Sequence, residues 1–131
     1  MKKEELVDLD PLEGSKDFAI FNFENIKTNE LLDLMTLHLE KFDTDIILTL
    51  NWNFKKKSNL DSYVGFFYSP DGVSIDTNPF DFYNFRDLRT KNYQSTIICN
   101  PITDVGYVVI KLLNRKTSSE IDKLKVWLKI R

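Results

Sequence analysis

The sequence is poor in the residues from which catalytic and metal-binding sites are commonly built. Its 131 residues include a single cysteine, a single histidine and four glycines. One cysteine cannot form an intramolecular disulfide, and one histidine cannot supply a site with two histidine ligands. A glycine-rich phosphate-binding motif is also lacking. We therefore predict a protein that holds no metal and no cofactor and is not an enzyme.

The few reactive residues have structural interpretations. Cys99 follows Ile97 and Ile98 in a strand-like run, which favours a small buried hydrophobe over a reactive thiol. His38 lies between two leucines, a context typical of a packing or surface residue. A catalytic pair of carboxylates, as in glycosidases, is not excluded, because such a pair is defined by the distance between the two groups in the fold, which the sequence does not show.

Long hydrophobic runs and a strong charge of either sign are lacking as well. No apolar stretch approaches the roughly 20 residues of a membrane-spanning helix, and the N-terminus lacks the apolar core of a signal peptide. The net charge of −2 gives no general attraction to nucleic acid or to an anionic membrane. We interpret the one compact basic cluster, Lys55–Lys57, as a solvated loop. We expect a cytoplasmic protein without membrane or nucleic-acid partners, free to assemble into a larger particle.

Apolar residues are abundant and alternate with polar ones. Between Asp45 and Lys55 they occupy every second position, namely Ile46, Leu48, Leu50, Trp52 and Phe54. The last strand-like run repeats the pattern with Leu124, Val126, Leu128 and Ile130. Further strand-like runs lie at 18–23, 63–68, 73–76, 96–99 and 107–113. A period of two is typical of strands with one face against a core. The sequence predicts a mainly β protein, an antiparallel β-sandwich of jelly-roll or discoidin-like type with seven or eight strands.

Residues 28–42 fit two structures. Leu32, Met35 and Leu39 follow helical spacing among good helix formers, whereas Met35, Leu37 and Leu39 alternate as in a strand. We favour one helix here and keep the strand as the alternative.

The domain organisation follows from a change in composition near the N-terminus. Residues 1–16 are polar and acidic and contain Pro11 and Gly14, which predicts an arm rather than core. No linker divides the remaining chain. We therefore predict a single domain over residues 17–131.

The stretch FFYSPDGVSID (residues 66–76) is either a metal-binding loop or a tight turn. Pro70, Asp71 and Gly72 suit successive positions of a type I turn closed by a glycine with positive φ. A calcium loop needs more oxygen ligands at short regular spacing, and here only Asp76 lies near Asp71. The sequence favours a turn that joins two strands.

The same stretch, YSPDGVSID, resembles a hairpin found in discoidin-like carbohydrate-binding sandwiches and in β-sandwich proteins of bacteriophage virions. The likeness covers Tyr63 to Ile75 and extends to the closing strand pair, Tyr107 to Arg131. The resemblance implies a sandwich fold and a binding role, and it transfers no ligand residue.

Two groups of aromatic residues are candidates for a binding or interface site. In segment 78–86, aromatic residues occupy both odd and even positions, so a strand with one buried face cannot bury all of their rings. The candidate residues of this segment are Phe80, Phe82, Tyr83, Phe85 and Arg86. A loop that plugs the core and a binding surface explain this crowding equally well. The other candidate, Trp127, is predicted to face outward among lysines, where a neighbouring side chain, a sugar or another subunit would cover it.

Three functions fit these features. The first is a non-enzymatic interaction module, a small bacteriophage virion accessory protein of the head, collar or tail that assembles with other virion proteins or with copies of itself. Residues 1–17 carry three basic and six acidic side chains, and residues 111–131 carry seven basic and two acidic ones. Such opposite charges can mediate contacts between copies, but solvated strand faces give the same pattern and are the favoured interpretation. The second is a carbohydrate-binding module whose aromatics stack on a glycan. The third is a small glycan-active enzyme. Our first hypothesis places the protein in the virion.

Overall fold

Every regular element in the described part of the chain is a β-strand. The computed structural model describes residues 2–6, 18–39, 45–101, 106–115 and 120–130. Seven strands lie in these ranges: β1 Lys2–Leu6, β2 Phe18–Ile26, β3 Glu30–Leu39, β4 Ile46–Ser69, β5 Asp81–Cys99, β6 Gly106–Asn114 and β7 Ile121–Ile130. All pair antiparallel. The predicted mainly β fold class is confirmed. Over these same ranges there is no helix long and apolar enough to cross a membrane.

The helix favoured at residues 28–42 is wrong for the part that the structure describes, because β3 occupies residues 30–39 and pairs with β6. The register shifts by one residue between Asp33 and Met35, which marks a bulge at Leu34. The extra residue lets Leu32 and Met35, three positions apart, both pack against the core. A bulged strand therefore imitates the spacing of a helix. Residues 40–44 lie outside the described part of the chain.

Several predicted strand boundaries are also wrong. The runs at 45–55 and 63–68 belong to the single strand β4, and the run at 96–99 is only the end of β5. Residues 73–76 form no strand. The polar residues that suggested a loop after Lys55 still pair with β5, since Ser58 lies opposite Thr90. Turn-like composition did not end the strand: β4 runs on through residues 55–57, and its pairing with β5 resumes at Ser58 after a register shift.

Strand β4 organises the sheet. β5 pairs along one side of β4, while β7 pairs with residues 46–53 and β6 with residues 62–69 on the other side. The sheet thus has two halves that share β4 and β5. We call β1-β2-β7-β4-β5 the first half-sheet and β3-β6-β4-β5 the second half-sheet.

The two halves curl over a common core. Phe85 pairs with Ser62 of β4, and Ser62 follows Trp52 by ten positions. Along a straight strand, ten residues span about 33 Å. The Trp52 and Phe85 rings nevertheless lie 4.8 Å apart. Register shifts between Asn53 and Leu60 coincide with the change of direction.

One cluster of buried side chains fills the space inside the curl. It includes all five residues that the sequence predicted to share one face, Ile46, Leu48, Leu50, Trp52 and Phe54, each at most 3% exposed. It also includes residues of the second half-sheet such as Phe66 and Leu112. The outward faces of both half-sheets are therefore the surfaces on which a binding site can be built.

Candidate binding surfaces

The turn after β4 uses its carboxylate as scaffold. Asp71 Oδ1 accepts hydrogen bonds from the backbone N–H groups of Val73 and Ser74, both at 2.8 Å. These two bonds hold the pKa of Asp71 below its ordinary value. Gly72 has φ of +82°, as predicted for this turn. The turn opens a longer connection, residues 70–80, rather than a tight hairpin. Among the described residues, no group of three His, Cys, Asp or Glu is placed to hold a metal ion.

The structure divides the candidate residues of segment 78–86 between core and surface. Residues from Asp81 onward belong to β5 rather than to a loop. Phe85 faces inward, is 6% exposed and packs against Trp52. Tyr83 also faces the core and packs edge-on against Phe66. Phe80, half-buried, stacks on Tyr68 with ring centroids 4.1 Å apart.

Tyr83 also bridges the two ends of its own strand. Its hydroxyl donates a hydrogen bond to the carbonyl of Ile98, fifteen residues further along β5. Burial raises the pKa of this hydroxyl, with the Asp81 charge acting in the same direction, so the hydroxyl keeps the proton that it donates.

Phe82 faces outward and is 53% exposed. It pairs with Gly65 on β4, and its ring stacks on that of Tyr63 at 5.5 Å. A Cβ on Gly65 would lie 2.9 Å from the Phe67 ring and 3.0 Å from the Tyr63 ring, so both rings lean over the glycine. The missing side chain at Gly65 lets the rings of both neighbours lie flat against the sheet.

The row of residues next to Phe82 continues across the second half-sheet. Tyr63 pairs with Leu113 on β6, which pairs in turn with Leu31 on β3. Leu31 is 57% exposed. We call the outward surface formed by Tyr63, Phe67, Phe82, Leu113 and Leu31 the Phe82 face.

Charged side chains border the Phe82 face. Asp61 lies 3.4 Å from Arg86 and 2.6 Å from Arg115. Arg115 also stands over the Tyr63 ring, 5.6 Å from its centroid. The Arg86 side chain is 74% exposed, so its guanidinium remains accessible beside the rings. Lys111, which lies over the Phe67 ring, forms an ion pair with Asp33 at 3.4 Å, so these five charged side chains carry a net charge of +1.

Trp127 lies on the outward surface of the first half-sheet, away from the segment 78–86. It is half-buried, and Lys125 Nζ lies 5.7 Å from its ring centroid. Beside it runs a groove of about 730 Å³, whose lining includes Asn22, Asn51, Asn53, Lys123, Lys125 and Trp127. We call it the Trp127 groove. The structure does not bring Trp127 together with Phe82 or Arg86.

The amide side chains of the groove hold one another in place. Asn53 donates to Asn51 at 2.6 Å, and Asn51 donates to Gln94 on β5 at 3.1 Å. Lys125 pairs with Asn51 on one side and with Asn22 on the other, so a lysine stands between two amides.

Sequence reasoning missed most of the neighbours in both surfaces. Tyr63, Phe67 and Leu113 join Phe82 only through strand register, which a single strand's alternation does not reveal. Gly65, inside an apolar run, was the available signal, since glycine within a strand often marks close approach. The alternation around Trp52 puts Asn51 and Asn53 on the outward face of β4 together with Ile47 and Thr49. Both asparagines are half-buried, whereas Ile47 and Thr49 are 7% and 1% exposed, and nothing in the sequence placed the asparagines beside Trp127.

The single cysteine and the single histidine both have packing partners. Cys99 is fully buried, as predicted, and burial raises the pKa of its thiol, with Asp81 adding to the shift. His38 is exposed and stacks on Tyr107 with ring centroids 4.7 Å apart.

Comparison with known proteins gives similarity in fold only. No protein-family model matches the chain, and no curated protein sequence matches it. A structure of Bacillus endospore appendages, described as disulfide-linked pili, superposes with a TM-score of 0.48 at 8% identity over 86% of this chain and 82% of that one. A carbohydrate-binding module specific for non-crystalline cellulose superposes with a TM-score of 0.48 at 7% identity over 95% and 70%.

A viral particle protein is also among the similar structures. The infectious bursal disease virus VP2 subviral particle superposes with a TM-score of 0.43 at 11% identity, and the match covers 96% of this chain but 37% of that one. The carbohydrate-binding module and the viral protein belong to the two broad classes that the sequence resembles. No ligand or partner residue is transferred from them.

Proposed function

We propose that the chain is a non-enzymatic interaction module that docks through the Phe82 face onto a different protein subunit of a larger particle. The observation that carries the proposal is the exposed ring of Phe82, fixed against Tyr63 before any partner arrives. Rigid aromatic side chains lose little conformational entropy on binding. Aromatic residues and arginine also dominate the binding energy of protein interfaces.

The chemistry of the face indicates what the partner offers. The rings of Phe82 and Tyr63, with Leu31 at the far side, call for an apolar pocket. Arg86 and Arg115 beside them outnumber Asp61, which calls for acidic side chains at the pocket's rim. The partner is therefore a protein surface with an apolar pocket and an acidic border.

A bacteriophage virion is the particle that we propose, with the chain as a head-decoration, collar or tail component. The virion resemblance of the hairpin and closing strands, and the opposite charges of residues 1–17 and 111–131, support this assignment. The reactive residues support a role without catalysis. The Cys99 thiol is buried with a raised pKa, and His38 stacks on Tyr107.

Truncation of the central ring tests the docking role. Phe82→Ala should reduce incorporation of the chain into its particle by about thirtyfold, the equivalent of a hot-spot loss near 2 kcal/mol. The fold should survive, because an exposed cross-strand pair contributes only about 0.2–1 kcal/mol. The measurement is the ratio of particle-bound to free tagged chain, together with the melting temperature.

Val73→Ala is the matched control, since Val73 is 81% exposed but lies in the connection after β4. It should leave incorporation unchanged. Wild-type incorporation of folded Phe82→Ala would contradict the proposal. Recovery of the chain only with copies of itself would contradict a heterologous partner.

A further inference from the structure

We infer that the Trp127 groove is a binding site for an acidic saccharide, a sugar chain that carries carboxylate groups. This site lies on the first half-sheet, so the inference does not depend on the Phe82 face or on the proposed function. Three features of the groove support a saccharide ligand: the Trp127 ring, the row of amides and the lysines of β7.

The Trp127 ring provides a surface for the apolar side of a sugar. It is half-buried, so the ring is fixed by its neighbours while one part remains accessible. Across β4 the same row continues with the exposed Thr96, whose hydroxyl lies 2.8 Å from that of the buried Thr49. An aromatic ring set among polar groups matches a pyranose, which has apolar C–H faces and a polar rim.

The amide row matches the hydroxyl groups of such a ring. Each asparagine or glutamine side chain carries two N–H donors and an oxygen with two lone pairs. The bonds from Asn53 to Asn51 and from Asn51 to Gln94 use one donor of each donating amide. Donors and acceptors therefore alternate along the row, which suits hydroxyls because each can both donate and accept.

The charge of the groove selects an acidic sugar over a neutral one. Lys123 and Lys125 line it against the single carboxylate of Glu24, and Lys129 follows on the same face of β7. Lys125 Nζ lies over the Trp127 ring, 5.7 Å from its centroid, so a sugar that stacks on this ring displaces the ammonium from the ring face and meets it with its carboxylate. A charge-assisted hydrogen bond of this kind is about twice as strong as a neutral one.

The two tryptophans make the site directly observable. Trp52 is fully buried, whereas Trp127 is accessible, and the chain contains no other tryptophan. Iodide quenching of the fluorescence therefore reports on Trp127. Hexagalacturonate should protect the fluorescence from iodide, while the neutral hexasaccharide maltohexaose should bind at least tenfold more weakly. Polyglutamate of equal charge should give no protection, because it lacks a sugar ring to stack.

Variants separate the contributions of ring, amide and charge, with binding measured by calorimetry. Trp127→Ala should abolish binding of hexagalacturonate, and Asn51→Ala and Lys125→Gln should each weaken it about tenfold. Arg86→Gln, which removes a cation from the other half-sheet, should leave it unchanged. Circular dichroism of each variant verifies its fold. Binding that survives in folded Trp127→Ala, or equal binding of polyglutamate, would overturn the inference. Equal binding of maltohexaose would overturn its acidic part.

Discussion

At the residue scale, Asp71 serves the backbone of its own turn. Its Oδ1 receives the N–H groups of Val73 and Ser74, and its contact with the Ser69 hydroxyl, at 3.2 Å, closes the turn from the other side. An anionic acceptor suits these donors better than a neutral one, which is why the pKa of Asp71 is lowered. The Asp71 carboxylate, which the sequence offered as a metal ligand, accepts hydrogen bonds from N–H and O–H donors instead.

This lowered pKa predicts how stability depends on pH. Because the folded state holds the proton less tightly than the unfolded chain, Asp71 stabilises the fold above the ordinary aspartate pKa. The contribution disappears as pH falls through the lowered pKa. Urea unfolding at a series of pH values should show Asp71→Ala less stable than wild type at neutral pH, with the gap closing in acid.

Asp71→Asn is the control for the carboxylate itself. Its side-chain oxygen still accepts from both N–H groups, so it should retain most of the neutral-pH stability and vary less with pH. A gap between Asp71→Ala and wild type that persists unchanged in acid would contradict this account of the turn.

At the scale of elements, the sequence was informative wherever a strand could be interpreted alone. The alternation around Trp52 predicted which face of β4 enters the core, since that requires only the local period. The bulge at Leu34 and the continuity of β4 through Ser58 depend on the partner strands β6 and β5. The same dependence hid the Phe82 face, whose members come from four strands, β3, β4, β5 and β6.

The curl of β4 and β5 predicts an energetic coupling. Trp52 and Phe85 are distant along the β4–β5 ladder but touch across the core. A double-mutant cycle with Trp52→Phe and Phe85→Leu should give a coupling energy of about 0.5–1.5 kcal/mol in urea unfolding.

The control pairs Trp52→Phe with Phe82→Leu. Phe82 is an aromatic residue of the same strand that faces outward, so the two effects should add. Coupling no larger for Phe85 than for Phe82 would mean that the strands do not bring the Trp52 and Phe85 rings together.

At the scale of the whole molecule, one curled sheet presents two chemically different outward surfaces. The second half-sheet carries the aromatic and arginine groups of the Phe82 face, and the first half-sheet carries the amides and lysines of the Trp127 groove. Both surfaces rest on the same core through β4 and β5, but they face outward on different half-sheets. A partner on one surface therefore leaves the other surface exposed. A scaffold of this kind can attach to a particle and still present a second site to solvent.

The most direct measurement of the central claim is photo-crosslinking in the cells that produce the protein. A photoreactive phenylalanine replaces Phe82 in one sample and Val73 in another, both positions being exposed. Irradiation should join the chain to a different protein subunit from position 82 and not from position 73. Equal crosslinking from both positions, or none from position 82 in chains that have entered the particle, would contradict docking through the Phe82 face.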